Sequence, residues 1–112
     1  MMLVFASSVA AAQSIDGRTS CAVAIRAFDD ENKPLAREIV LFIRGVFDRL
    51  DANHTNHGER SALAPLTDEG LGKIVIAAVE FCREHPAATI YGQAVNAYRG
   101  LRSLQETLGV GR

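Results

Sequence analysis

Three short stretches hold the side chains best able to do chemistry. The first, "HTNHGE", sets His54, His57 and Glu59 close together, with Asp51 just upstream. Imidazoles and a carboxylate at such spacing can hold zinc if the chain between them wraps the ion. No cysteine or third histidine lies near enough to complete a firm site, so a solvated histidine-bearing loop is the simpler expectation. Asn53-His54-Thr55 also fits a glycosylation sequon, which matters only in a eukaryotic secretory route. Ser61 follows His57 and Glu59, but no oxyanion-hole glycines accompany it, and the remaining carboxylates are scattered. General acid–base or nucleophilic catalysis therefore has no anchor. The second stretch, "GLGK" at Gly70 to Lys73, resembles the end of a phosphate-binding loop. That motif needs a glycine where Thr67 stands and a serine or threonine where Ile74 stands. The chain is expected not to be an enzyme and to use no metal or cofactor.

The third stretch, "VEFCREHPAATIYGQAV", carries Cys82, whose only possible partner is the distant Cys21. How these thiols are read depends on the compartment. Residues 3–12 are apolar or small, uncharged, and end in Ala10-Ala11-Ala12. They look like the apolar region and cleavage site of a secretory signal, so residues 1–12 are expected to be removed after Ala12, leaving one domain over 13–112. No Lys or Arg precedes Arg18, so either the start lies further upstream or the segment is a buried amino-terminal turn. In an oxidising compartment two cysteines form a disulfide, with Cys21–Cys82 the one connectivity. In the cytosol they would be two buried free thiols. Closing a loop of that length is worth about 4 kcal/mol on the chain-entropy estimate.

The elements that must position these residues are helical. Thr19 or Ser20 can cap a short helix over residues 21–28, which "DDENK" then breaks. Pro34 opens a second helix over 34–50, a first-turn position where its missing N–H is harmless. Leu35, Ile39, Phe42, Ile43, Val46 and Leu50 share one face, and Val40, Leu41 and Phe47 widen the apolar stripe beyond what one core face needs. Residues 51–66 are polar, contain Gly58 and Pro65, and are expected to be the long loop. Thr67 caps a third helix, with Asp68 and Glu69 in its first turn complementing the helix dipole. Its "IVIAAV" core could be a buried strand on periodicity alone; the cap, the length and the Glu69–Lys73 spacing decide for helix. Pro86 ends it, and Thr89 caps a last helix from Ile90 to Leu108. An all-α bundle of about four helices, pinned by one disulfide, is expected.

Composition excludes several partners. Apolar content of 48% and charged content of 22% belong to an ordinary globular domain. Twelve Lys and Arg against thirteen Asp and Glu leave no basic field for nucleic acid or an anionic membrane. With no Trp, five Phe and two Tyr, a platform for stacking bases is not expected. No apolar run reaches the ~20 residues that span a bilayer.

Taken in order, Cys21, Phe28, Pro34, Cys82, Pro86 and Tyr91 resemble the pattern of the HdeA/HdeB acid-stress chaperones, over roughly residues 19–104. An aromatic residue precedes the second cysteine, a proline follows it, and an aliphatic–aromatic pair opens the last helix. Tryptophans common in that family are absent here, and the 51–66 segment is longer than in its small members. The resemblance implies a periplasmic protein with one intramolecular disulfide, a homodimer near neutral pH. In acid it would loosen and bind denaturing proteins through apolar surface without ATP. An alternative is a secreted or periplasmic helical interaction or structural protein with no chaperone action.

The sequence contains the parts such a switch needs. Protonating all thirteen carboxylates leaves only the positive charge of twelve Lys and Arg and three His. One-signed charge disfavours compact and dimeric states while keeping the chain soluble. Carboxylates that pair or cap in the fold stop doing so as they protonate; Asp48 beside Arg44, Asp68, Glu69, and Glu80 beside Arg83 are the acid-sensing candidates. The apolar surface for clients or a second copy is expected from Leu35, Ile39, Val40, Leu41, Phe42, Ile43, Val46 and Phe47 on the second helix. On the third it comes from Ile74, Val75, Ile76, Val79 and Phe81.

Overall fold

Each helix begins where a short polar side chain satisfies an otherwise orphan amide. Ser20 accepts from the Val23 amide at 3.4 Å, Asn32 from Leu35 at 3.3 Å, and Thr67 and Thr89 from Gly70 and Gly92 at 3.0 Å each. In the computed structural model, which describes residues 15–109, these caps open α1 (Cys21–Asp29), α2 (Lys33–Asn56), α3 (Asp68–Glu84) and α4 (Ile90–Leu108). The expected signal of residues 1–12 lies outside the described residues. Among the described residues the fold is all-α with four helices, and Cys21 and Cys82 form a disulfide with their Cα atoms 4.8 Å apart.

The second helix departs from expectation. It does not stop at Leu50 but continues six residues to Asn56, so Asp51 and His54 stand on a helix rather than in a loop. Polar composition misled here: Asp51 extends the buried face of Ile39, Ile43 and Phe47 by one more turn. Past the cap residue His57 the chain turns away through Gly58, whose φ of 81° is the left-handed conformation glycine adopts without a Cβ penalty.

The turn between α1 and α2 uses the same device with a costlier residue. The Glu31 amide bonds to the Phe28 carbonyl at 3.2 Å and the Asn32 amide to Ala27 at 2.9 Å, the paired bonds that close a helix through a left-handed residue. That residue is Glu31, at φ 55°. Glu31→Gly relieves the Cβ–carbonyl crowding and is expected to stabilise the protein by about 1 kcal/mol, read as a higher midpoint in urea.

α4 lies at the centre of the core. Ile90, Ala94, Ala97, Tyr98 and Leu101 are buried on it. Against them pack Ile39, Ile43, Val46 and Phe47 of α2 and Val75, Ala78, Val79 and Cys82 of α3, while Cys21, Ala24 and Ala27 of α1 extend the same core over α2 and α3. The disulfide ties α1 to the end of α3, and backbone hydrogen bonds tie α1 to the start of α4 and the turn before it. Cys21 N–H donates to Ala88 at 2.7 Å, Ala22 to Pro86 at 3.1 Å, and Ile90 to Thr19 at 2.9 Å, beside an isolated β-bridge between Ser20 and Thr89.

Candidate functional site

A buried carboxylate joins three separate segments. Asp51, only 7% exposed, projects from the last turns of α2. Its Oδ1 accepts from the Tyr98 hydroxyl of α4 at 2.7 Å and from the Ala62 amide of the α2–α3 loop at 2.8 Å. Its Oδ2 accepts a short hydrogen bond from the Ser61 hydroxyl. Gln105 of α4, also buried, donates through Nε2 to the Ala62 carbonyl at 2.9 Å and so pins the loop a second time. Arg102 completes the clasp. Its guanidinium donates to the Tyr98 oxygen at 2.9 Å, lies 3.7 Å from both Asp51 and Glu59, and stands over the Tyr98 ring. Glu59 in turn engages Nδ1 of His54, whose ring packs against Tyr98 with centroids 5.9 Å apart.

These contacts set the titration of the clasp. Burial pushes the Asp51 carboxyl upward, but hydrogen bonds from Ser61, Tyr98 and the amides of Ala62 and Leu63 together outweigh it, and its pKa falls below the ordinary aspartate value. Glu59 is lowered as well, first by its hydrogen bond with His54 and then by the nearby positive charges. Burial, reinforced by the negative Asp51, pushes Tyr98 up to about 12, so its hydroxyl remains a donor from acid to well above neutrality. Among the described residues no buried side-chain nitrogen or oxygen lacks a partner. The network is satisfied by its own members, as a structural latch requires.

The histidine stretch is absorbed into this arrangement. His54 faces Glu59, and His57 Nδ1 lies 2.7 Å from the Asn53 carbonyl at the helix end. Among the described residues no group of three or more His, Cys, Asp or Glu is placed to hold a metal ion.

No family model, curated protein or solved structure matches this chain. Disulfides such as Cys21–Cys82 persist in oxidising compartments outside the cytosol. None of the described helices is long and apolar enough to cross a membrane.

The acid-sensing candidates read from sequence all lie at the surface and are not brought together. Glu69 pairs with Lys73 at 3.9 Å and Glu80 with Arg83 at 3.9 Å, while Arg83 sits closer, at 3.3 Å, to Asp29 of α1. Asp68 stands in the first turn of α3, and Asp48 makes no ion pair with Arg44 among the described residues. Exposed pairs of this kind contribute about 0–1 kcal/mol each. The apolar candidates divide three ways. Ile39, Ile43, Val46, Phe47, Val75 and Val79 are buried core, and Leu35, Val40, Phe42, Ile74 and Phe81 are half-buried around it. Leu41 and Ile76 stand out to solvent, 53% and 59% exposed.

Sequence reading missed Asp51, Ser61, Tyr98, Arg102 and Gln105 as a unit. A signal was present: Asp51 follows Phe47 by four positions and Gln105 follows Leu101 by four, so each places a polar group on an otherwise apolar face. Two such groups on neighbouring helices point to a buried polar contact.

Proposed function

We propose that the protein is an acid-activated, ATP-independent periplasmic holdase that loosens at low pH and binds denaturing proteins to keep them from aggregating. The observation that carries this reading is the Asp51 clasp, in which an ionised carboxylate under the surface fastens α2, α4 and the loop between α2 and α3 over the core. A folded-state pKa below the unfolded one gives a definite sign. The stabilisation is complete above the unfolded value of ~4 and is lost as pH falls through the lower, folded value. Glu59 acts in the same direction. As both protonate, Arg102 and His54 lose their counter-charges and the chain becomes one-signed.

The resemblance of Cys21, Phe28, Pro34, Cys82, Pro86 and Tyr91 to the HdeA/HdeB pattern supports the same function, with the disulfide keeping the loosened chain compact. Near neutral pH the protein is a homodimer, and exposed Leu41 and Ile76 belong to surface that a second copy can cover. Clients meet the residues that are core at pH 7, among them Phe47 and Val79.

The test is light scattering from an acid-labile client at ~pH 2–3, with and without the oxidised protein. Suppression at about equimolar ratio, absent at pH 7, is the expected result. Aggregation unaffected by the protein at ~pH 2–3 removes the holdase and leaves a helical interaction protein.

A further inference from the structure

The two ends of the bundle are closed by different chemistry. At one end α1 meets the end of α3 and the start of α4 through the disulfide and the backbone hydrogen bonds Cys21–Ala88, Ala22–Pro86 and Ile90–Thr19. None of these changes with protonation above pH 2. The titratable contacts nearby, Arg83 with Asp29 and Glu80, His85 with the Phe81 carbonyl and Asp16 with the Arg18 amide, are all exposed. At the other end the closure is the clasp. Tyr98 to Gln105 lie about 12–22 Å along α4 from Ile90, at 1.5 Å per residue. There the groups facing Asp51 are Ser61 of the loop and Tyr98 and Arg102 of α4. Glu59 of the loop and His54 of α2 adjoin them through Arg102 and the Tyr98 ring. No hydrogen bond or ion pair from α1 or α3 reaches Asp51 among the described residues.

We infer that acid opens this protein from one end: the loop of residues 57–67 lifts from the last turns of α2 and the second half of α4, while the disulfide end stays closed as the hinge. Sub-global opening of this kind follows the least protected contacts. Here those are the contacts that depend on a single buried carboxylate. Lifting the loop withdraws Ala62, itself 1% exposed, and uncovers the neighbourhood of Phe47, Tyr98 and Leu101. The rim then carries Arg102 and His54 without their carboxylate partners. The uncovered face therefore suits an apolar, aromatic-containing stretch of a denatured chain that is poor in Lys and Arg. This inference deepens the holdase reading by naming the part that opens.

Hydrogen exchange read by mass spectrometry tests it on the oxidised full chain at pH 7, 4, 3 and 2, with intrinsic rates corrected. Peptides covering 47–67 and 98–108 are expected to lose protection at least tenfold before those covering 19–30 and 76–92 change. Simultaneous loss at both ends, or loss beginning at the disulfide end, overturns the inference. Tyr98→Phe keeps the ring and removes one donor to Asp51. It is expected to raise the pH at which the clasp end opens and to leave the disulfide end unaltered; an unchanged clasp profile overturns the inference. The scattering assay on the same samples separates the two claims. One-ended opening without client protection upholds the hinge and rejects the holdase, whereas protection with uniform opening does the reverse.

Discussion

Asp51→Ala is expected to destabilise the protein by about 3–5 kcal/mol at pH 7, the cost of removing one partner from a buried charged cluster. Four groups lose their acceptor or counter-charge at once: the Tyr98 hydroxyl, the Ser61 hydroxyl, the Ala62 amide and Arg102. Hydrogen bonds to a charged group are worth about 1.5–3 kcal/mol each, and they are not additive. Against a total stability of about 5–15 kcal/mol for a domain, the loss is large. Its pH dependence is the diagnostic part. The gap between the native protein and the variant holds above ~pH 4 and narrows as pH falls through the lowered Asp51 value, because the native side chain becomes neutral too. Urea denaturation at several pH values checks both statements. A gap that stays constant from pH 7 to 2 would show that the charge on Asp51 contributes nothing to the acid response. At the alkaline extreme, Tyr98 gives the opposite sign. Its stabilisation is present below the ordinary tyrosine value of ~10 and is lost as pH rises toward about 12.

Replacing both Cys21 and Cys82 by serine is expected to cost a similar amount, about 4 kcal/mol on the chain-entropy estimate for a separation of 61 residues. Both side chains are buried, so two hydroxyls must also find partners in an apolar setting. The consequence for function is greater than the stability figure suggests. A cross-link between the start of α1 and the end of α3 keeps the acid-loosened chain short of full expansion and keeps the backbone bonds around Ala88 and Pro86 in place. Return to pH 7 after an hour in acid should restore the near-UV spectrum of the oxidised protein almost fully, and that of the double-serine variant far less. Equal recovery of the two would show that the disulfide has no part in refolding.

Much of the fold was legible because caps and periodicity agreed. Thr67 and Thr89 were readable as caps because threonine ahead of an apolar period has that local role whatever the tertiary context. The cysteine pairing followed from there being two. The long loop was misjudged for a physical reason: "DANHTN" has the composition of a loop, yet its helical conformation is enforced from outside. Asp51 is held by Tyr98 and Arg102, and His54 packs against Tyr98, contacts distant in sequence that local propensity cannot report. The candidate site suffered more. Carboxylates near cations in sequence, such as Glu69 with Lys73, draw attention because helical spacing puts them together, but they are solvated. Asp51 has no Lys or Arg three or four positions away on its helix; its partners come from residues 61, 62, 98 and 102.

The central claim is that losing negative charge beneath the surface loosens a cross-linked bundle and offers its interior. It is tested most directly by following near-UV circular dichroism and apolar-dye binding together on the oxidised protein from pH 7 to 2. The expected result is a joint transition below ~pH 4, in which the signal of Tyr98 and its neighbours falls, dye binding rises, and both reverse on neutralisation. A native near-UV spectrum with no dye bound at pH 2 would contradict it.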